Sequence, residues 1–226
     1  KVSNKKNKKN ISFYTLTDYN DWKNNNYSKD WHIKYYKGLG TNTSKEAKEY
    51  FHDLENNTTI FKWDNKLSNK ALILAFSKKQ ADNRKLWLKK YNKKIILDYS
   101  KNIITYDEFV NKELIHFSNY DNIRSIPNMC DGLKPSQRKV LYSCFKRNLI
   151  NDIKVSQLIG YISENSAYHH GEMSLTNTVI GMAQNFLGSN NINLLQPNGQ
   201  FGTRLMGGKD SSSARYIFTQ LSKITR

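Results

Sequence analysis

Negative charge is what this chain has least of. Nineteen Asp and Glu stand against 36 Lys and Arg in 226 residues, a formal net charge of +17 at pH 7, with an isoelectric point near 9.7. Such an imbalance marks a polyanionic partner, either nucleic acid or an acidic membrane surface. Long apolar runs are missing too. None approaches the roughly 20 residues that cross a bilayer, and the basic N-terminus lacks the apolar core of a signal peptide. No membrane partner is expected, which leaves nucleic acid. Cysteine is nearly absent: Cys130 and Cys144 are the only two. Both fall in or beside an apolar helical stretch, and no His/Cys cluster has zinc-ligand spacing. Packed, reduced thiols of an intracellular protein are expected.

What remains is ample for folding. A hydrophobic fraction of 38% with 12% aromatics supports one large or two modest domains with real cores. Residues Lys1 to Asn10 form a Lys/Asn run without periodicity and read as a solvated loop. Ile11 to Leu16 is β-prone, Asp18 to Asn24 holds a helical turn anchored by Trp22, and Trp31 to Tyr36 alternates like a strand. Lys37-Gly38-Leu39-Gly40 turns the chain. Thr43 and Glu46 make a capping-box pattern that opens a helix to about Leu54. Helices are expected over Leu67–Phe76 and Ala81–Tyr91, and another starts at Tyr106. The Lys78-Lys79 and Lys89-Lys90 pairs read first as solvated faces.

Beyond a boundary near His116 the pattern changes. Pro135 suits the first turn of a helix, where its missing N–H costs nothing. That helix is amphipathic and ends near Asn148. Val155, Leu158, Ile159 and Ile162 repeat at helical spacing, giving a second helix to about Glu164. A third runs from Glu172 to Phe186, with Leu175, Val179, Met182 and Ala183 on its apolar side. Glycine-rich, β-prone segments follow, with Asn198-Gly199 and Gly207-Gly208 as hairpin turn signals. Helix, helix, turn, helix and then β hairpins is the winged-helix plan, whose third helix enters the major groove. The expected fold is therefore α+β, in three segments: 1–62, a Lys-rich helical linker over 63–115, and a winged-helix domain over 116–226.

Arg215-Tyr216 is the pair with chemical promise. A tyrosine hydroxyl is a weak nucleophile at its reference pKa of about 10. An adjacent guanidinium favours the phenolate and stabilises charge developing on a phosphate under attack. Alone, such a dipeptide is far more often an ordinary strand-edge pair, and only its surroundings favour the chemical reading. His169-His170-Gly171 precedes a helix N-terminus, where free N–H groups favour phosphate. Lys134, Gln137, Arg138 and Lys139 crowd the start of the first helix, and Arg204 and Lys209 flank the expected wing. All are placed to track a phosphate backbone, contacts that fix register rather than read sequence.

These residues sit in segments that resemble one family, the type IIA DNA topoisomerases in their eukaryotic form. The segments are DGLKPSQRKVL (131–141), AYHHGE (167–172), AQNF (183–186), GSNNI (188–192), LLQP (194–197), GQFGTR (199–204), GGKD (207–210) and ARYIFT (214–219). KYYKGLGT (34–41) and SKEAKEYF (44–51) lie upstream. The resemblance implies that residues 1–62 close a TOPRIM-type α/β region and that Tyr216 attacks DNA to leave a 5′-phosphotyrosyl link, assisted by Arg215. It implies DNA contacts for His170, Lys134, Gln137, Arg138, Lys139, Arg204 and Lys209, and His169 joins the set although a structural role suits it better. Lys37 belongs to the same set, although packing explains its glycine-rich turn as well. It further implies duplex DNA as partner, a homodimer, Mg2+ and ATP as cofactors, and a nuclear location. No metal ligand and no ATPase module is recognised in these residues, so a fragment of a longer, ATP-dependent enzyme is expected, inactive by itself. Met173 and Asn177 stand where relatives contact planar DNA-cleavage poisons. The rival reading is a winged-helix module that binds duplex DNA without covalent chemistry.

Overall fold

In the computed structural model, residues 1–4, 6–26, 28–36, 42–55, 57–99 and 101–225 are described. They divide into two units, Lys1–Tyr120 and Asp121–Arg226. The architecture is mixed α+β, with helices predominating and the sheets small.

The first unit begins with a departure from expectation. Instead of a solvated loop, Val2–Asn4 is β1, the central strand of an antiparallel sheet ordered β2–β1–β3. Its neighbours are β2 (Asn10–Ile11) and β3 (Trp31–Ile33). Val2 is fully buried and Asn4 nearly so, the period-2 pattern of a strand with one covered face. The pairing of β1 with β3 joins residues some thirty positions apart, which local composition does not encode. Between β2 and β3 runs α1 (Leu16–Asn26), longer than the single turn expected. Trp22 is its anchor, with ring centroids 5.4 Å from Phe13 and 5.0 Å from Trp31.

Helix α2 (Ser44–His52) starts at the expected capping box. The Glu46 N–H donates to Thr43 Oγ1 (3.3 Å), and the Thr43 N–H donates to Glu46 Oε2 (2.8 Å). Glu46 also accepts from Lys34 Nζ at 2.8 Å and from the Tyr36 hydroxyl. Lys34, first among these donors, holds the Glu46 carboxyl below the usual carboxylate range. Burial, together with that hydrogen bond, pushes Tyr36 up to about 12. A second small sheet pairs β4 (Ile60–Lys62) in parallel with β5 (Ile103–Thr105). Between them lie α3 (Asn65–Phe76) and α4 (Ala81–Lys89). Arg84 Nη1 donates to the Leu74 and Ser77 carbonyls at 3.0 and 2.6 Å, satisfying the free end of α3. After α5 (Tyr106–Phe109) and a π turn over Val110–Leu114 comes α6 (Ile115–Ser125).

In the second unit three helices enclose one core. Helix α7 (Pro135–Lys146) begins with its proline. Strand β6 (Ile153–Lys154) leads into α8 (Val155–Asn165), and α9 spans Glu172–Ala183. Val155, Leu158, Ile159 and Ile162 of α8 are buried, as are Leu175, Val179, Met182 and Ala183 of α9. They pack with Val140 and Cys144 of α7 and with Leu195, Phe201, Ile217 and Leu221 from the C-terminal segment. Burial pushes the Cys144 thiol up to about 12. Cys130, expected to be packed, is exposed because it lies in the turn before α7, off the helix's apolar face. The glycine-rich hairpins also differ from expectation. Strand β7 (Phe218–Thr219) pairs with β6, and isolated bridges join Leu195 to Leu221 and Asn198 to Phe218. Residues 199–216 form turns, because Gly199, Gly202, Gly207 and Gly208 all take positive φ within a closed loop.

Candidate nucleic-acid interface

The start of α7 is organised by side chains that also rank as site candidates. Asp131 Oδ1 accepts the Leu133 N–H at 2.9 Å, and Gln137 Oε1 accepts the Lys134 N–H at 2.8 Å. Arg138 forks onto Asp131, Nε to Oδ2 at 2.7 Å and Nη2 to Oδ1 at 2.9 Å. That fork holds the Asp131 carboxyl at about 2, with the Leu133 N–H as a further cause. The Arg138 guanidinium is thus already engaged within the chain. Gln137 is half-buried and caps its helix.

Lys139 reaches in another direction. Its Nζ donates to the Ala167 carbonyl at 2.8 Å and lies 5.9 Å from the Tyr168 ring centroid. Tyr168 meets the His170 ring edge-on, with centroids 5.7 Å apart, and its hydroxyl donates to Ser174 Oγ at 3.2 Å. The α7 start and the His169-His170-Gly171 loop are therefore one cluster with Tyr168 at its centre. Gly171, at φ +85°, makes the turn into α9. Beside it, an open groove of about 680 Å³ brings Lys134, Gln137 and Asn177 together with Ser174, Thr178 and Gly181. Met173 is 73% exposed at the start of α9, so it is not a core residue.

Arg215 and Tyr216 are placed by a different device. Both are exposed, Tyr216 to 71%, on a turn closed by the Tyr216 N–H donating to Ser213 O at 2.9 Å. The carbonyls on either side of the pair cap α8: the Val155 N–H donates to Ile217 O (3.0 Å) and the Ser156 N–H to Ala214 O (3.1 Å). Two otherwise unpaired donors of a helix N-terminus therefore hold the turn. Ile217, next to Tyr216, is buried in the core, so backbone order extends to the tyrosine while its side chain stays free.

Arg204 and Lys209 are exposed on the loop between Phe201 and Asp210. Sequence reasoning missed two residues that shape this loop. Asp210 accepts the Thr203 N–H and hydroxyl, both at 2.8 Å, which lowers its carboxyl pKa. Gln184 Nε2 donates to Phe201 O at 2.8 Å and to Gly208 O at 3.3 Å. Both lie in family-like segments, AQNF and GGKD, but their partners are set only by the fold. Lys37 and its glycine-rich turn lie outside the described residues.

The second unit is thus a basic three-helix unit that presents an exposed Arg-Tyr turn. Residues 1–122 match the model of the C-terminal associated domain of TOPRIM, and 124–226 that of the A subunit of DNA gyrase/topoisomerase IV. The chain is 56% identical over 234 residues to mouse DNA topoisomerase 2-alpha, covering 98% of this chain and 15% of the relative. It is also 56% identical over 216 residues to DNA topoisomerase 2 of Plasmodium falciparum, covering 95% and 16%. The crystal structure of the P. falciparum topoisomerase II DNA-binding, cleavage and re-ligation domain superposes with a TM-score of 0.80 at 54% identity. That match covers all of this chain and 31% of the other. The chain belongs to the type IIA DNA topoisomerase family, in its eukaryotic topoisomerase II branch. It spans about 15% of the length of the curated relatives it matches.

Proposed function

We propose that this chain is part of the breakage-reunion core of an ATP-dependent type II DNA topoisomerase, with Tyr216 as its nucleophile. The observation that carries the reading is the Arg215-Tyr216 turn, pinned by the α8 N-terminus and the buried Ile217 while the phenol stays 71% exposed. The Tyr216 oxygen attacks a backbone phosphorus as its proton leaves to solvent. The P–O3′ bond breaks, the 3′ oxygen takes up a proton, and a 5′-phosphotyrosyl diester remains. One phosphodiester replaces another, so resealing is the same exchange reversed. Arg215 forks onto the phosphate oxygens as charge develops.

Residues 116–226 act as a winged-helix unit in this reading, with 1–62 and 63–115 as the TOPRIM-side segment and its helical linker. The start of α7, His169-His170 and the Arg204–Lys209 loop track phosphates. Met173 and Asn177, on one exposed side of α9, are the proposed contacts for planar cleavage poisons. Family chemistry draws on Mg2+ and ATP. Among the described residues no group of three or more His, Cys, Asp or Glu is arranged to hold a metal ion. In this reading Mg2+ and ATP serve a longer, homodimeric, nuclear polypeptide of which this chain is a part.

Trapping with denaturant after incubation of the full-length polypeptide with duplex DNA and Mg2+ tests the reading. Wild type is expected to give a covalent protein–DNA adduct. Tyr216→Phe should give none and still bind DNA within about threefold, as expected if the hydroxyl acts only in the chemistry. An adduct that survives in Tyr216→Phe refutes it. Binding with no adduct in either protein favours the non-covalent winged-helix module instead.

A further inference from the structure

The loop carrying Arg204 and Lys209 is tied to the end of α9 by one side chain. Gln184 is the C-cap of that helix, where the backbone turns to φ −59° and ψ 131°. Its own backbone is held on both sides. The Gln184 N–H donates to Ile180 O at 3.1 Å, and its carbonyl accepts from Asn190 Nδ2 at 2.8 Å and Ser189 Oγ at 3.1 Å. From this fixed base the amide Nε2 reaches two carbonyls at opposite ends of the loop, Phe201 O and Gly208 O.

The fit is close, and at Gly202 it is against backbone. A Cβ on Gly208 would fall 2.3 Å from Gln184 Nε2, and one on Gly202 would fall 2.6 Å from Gly208 Cα. Both glycines also sit at positive φ, +79° and +101°. Below the amide, Phe201 is buried in the core. Above it the loop closes on itself through Gly208 N–H to Thr203 O (2.9 Å) and through the Thr203–Asp210 pair, and Ser212 N–H returns to Gln200 O at 2.9 Å. The side chains of Arg204, Leu205 and Lys209 are left outside, Leu205 at 92% exposure. A loop with so little apolar anchorage of its own depends on its polar ties for a single conformation.

We infer that Gln184 is a positioning residue: its amide fixes the 201–210 loop in advance, setting Arg204 and Lys209 on the DNA backbone in register with Tyr216. The inference rests on the nucleophile reading of Tyr216 for its effect on cleavage, and on geometry alone for its effect on the loop. Two variants separate loss of the donor from loss of fold. Gln184→Leu removes the donor. Gln184→Glu faces two carbonyls with a carboxylate, and regains one donor when that carboxyl is protonated.

Hydrogen exchange in the chain and cleavage by the full-length polypeptide are the readouts. In Gln184→Leu, exchange at Gly208 and Lys209 should quicken at least about tenfold, the effect of losing the two Gln184 hydrogen bonds, with Leu158–Ile162 amides unchanged. Cleavage should fall by a similar factor. The slope of log affinity against log salt should shrink by about one to two as two cations lose their fixed place. In Gln184→Glu, loop exchange relative to wild type should slow as pH falls from about 6 to about 4, through the ordinary carboxylate range, whereas the Gln184→Leu ratio should stay flat. Unchanged loop exchange, or the same flat pH ratio in both variants, overturns the inference. If the loop loosens and cleavage does not change, the positioning role is likewise refuted. An adduct persisting in Tyr216→Phe removes the reading of Tyr216 and leaves the loop exchange result to stand for the anchoring.

Discussion

The two units solve the problem of holding shape in different ways. In Asp121–Arg226 one apolar cluster draws on three helices and on the C-terminal segment, and the fully buried Leu158, Ile162, Leu175, Leu195 and Ile217 meet in it. In Lys1–Tyr120 burial is scattered over Val2, Ala71, Leu97, Ile104, Val110 and Ile115, while Phe51, Phe76, Leu67 and Trp63 remain half or more exposed. Polar hubs do more there. Glu46 alone joins a helix cap, Lys34 and Tyr36. The difference bears on chemistry as much as on stability. The unit with the shared core is the one that carries the Arg-Tyr turn, and a turn can present a side chain accurately only if the elements behind it do not move.

Core substitutions should break this contrast most sharply. Leu158→Ala, on the buried side of α8, is expected to destabilise the second unit by about 2–5 kcal/mol. Phe51→Ser, at a position 76% exposed, should change stability by no more than about 0.5 kcal/mol. Chemical denaturation of the two variants checks both; equal losses would dissolve the contrast. A smaller effect of opposite sign is expected inside the same core. Ser143 Oγ is buried with no hydrogen-bond partner. Ser143→Ala should therefore raise stability, by about 1 kcal/mol, since an unsatisfied hydroxyl leaves the interior; a loss of that size would mean the hydroxyl is satisfied in solution.

The smallest effect is electrostatic. The Asp131 carboxyl titrates near 2 in the folded chain, below its reference value of about 3.9. A depressed folded pKa contributes stability above the reference value, and that contribution is lost as pH falls from about 4 through 2. Wild type should lose more melting temperature over that interval than Asp131→Asn, by a small margin because the Arg138–Asp131 fork is exposed to solvent. Parallel pH profiles for the two proteins would show that the fork contributes nothing.

Much of the second unit was legible in the sequence, and the reasons are local. The start of α7 is written in Pro135 and the Asp131-Gly132 turn, and the buried faces of α8 and α9 in apolar spacing. The capping box at Thr43 and Glu46 was equally plain. What stayed hidden depends on distant partners. Val2–Asn4 is a central strand only because β3, some thirty residues away, pairs with the edge that β2 leaves open. The glycines at 199, 202, 207 and 208 signalled turns correctly, yet whether such turns close hairpins or an irregular loop is decided by Gln184 and Asp210. Arg138 was expected to face a phosphate backbone, and the fold instead pairs it with Asp131 across the first turn of α7, a partner that spacing alone does not disclose.

The central claim is that Tyr216 is the residue joined to DNA. The direct measurement is to trap the covalent adduct of the full-length polypeptide, digest the DNA with nuclease and the protein with protease, and locate the remaining nucleotide by mass spectrometry. The expected result is a single modified peptide containing Arg215-Tyr216, with the nucleotide attached through its 5′ phosphate to the Tyr216 oxygen. A nucleotide on any other side chain, or a 3′ attachment, would contradict it.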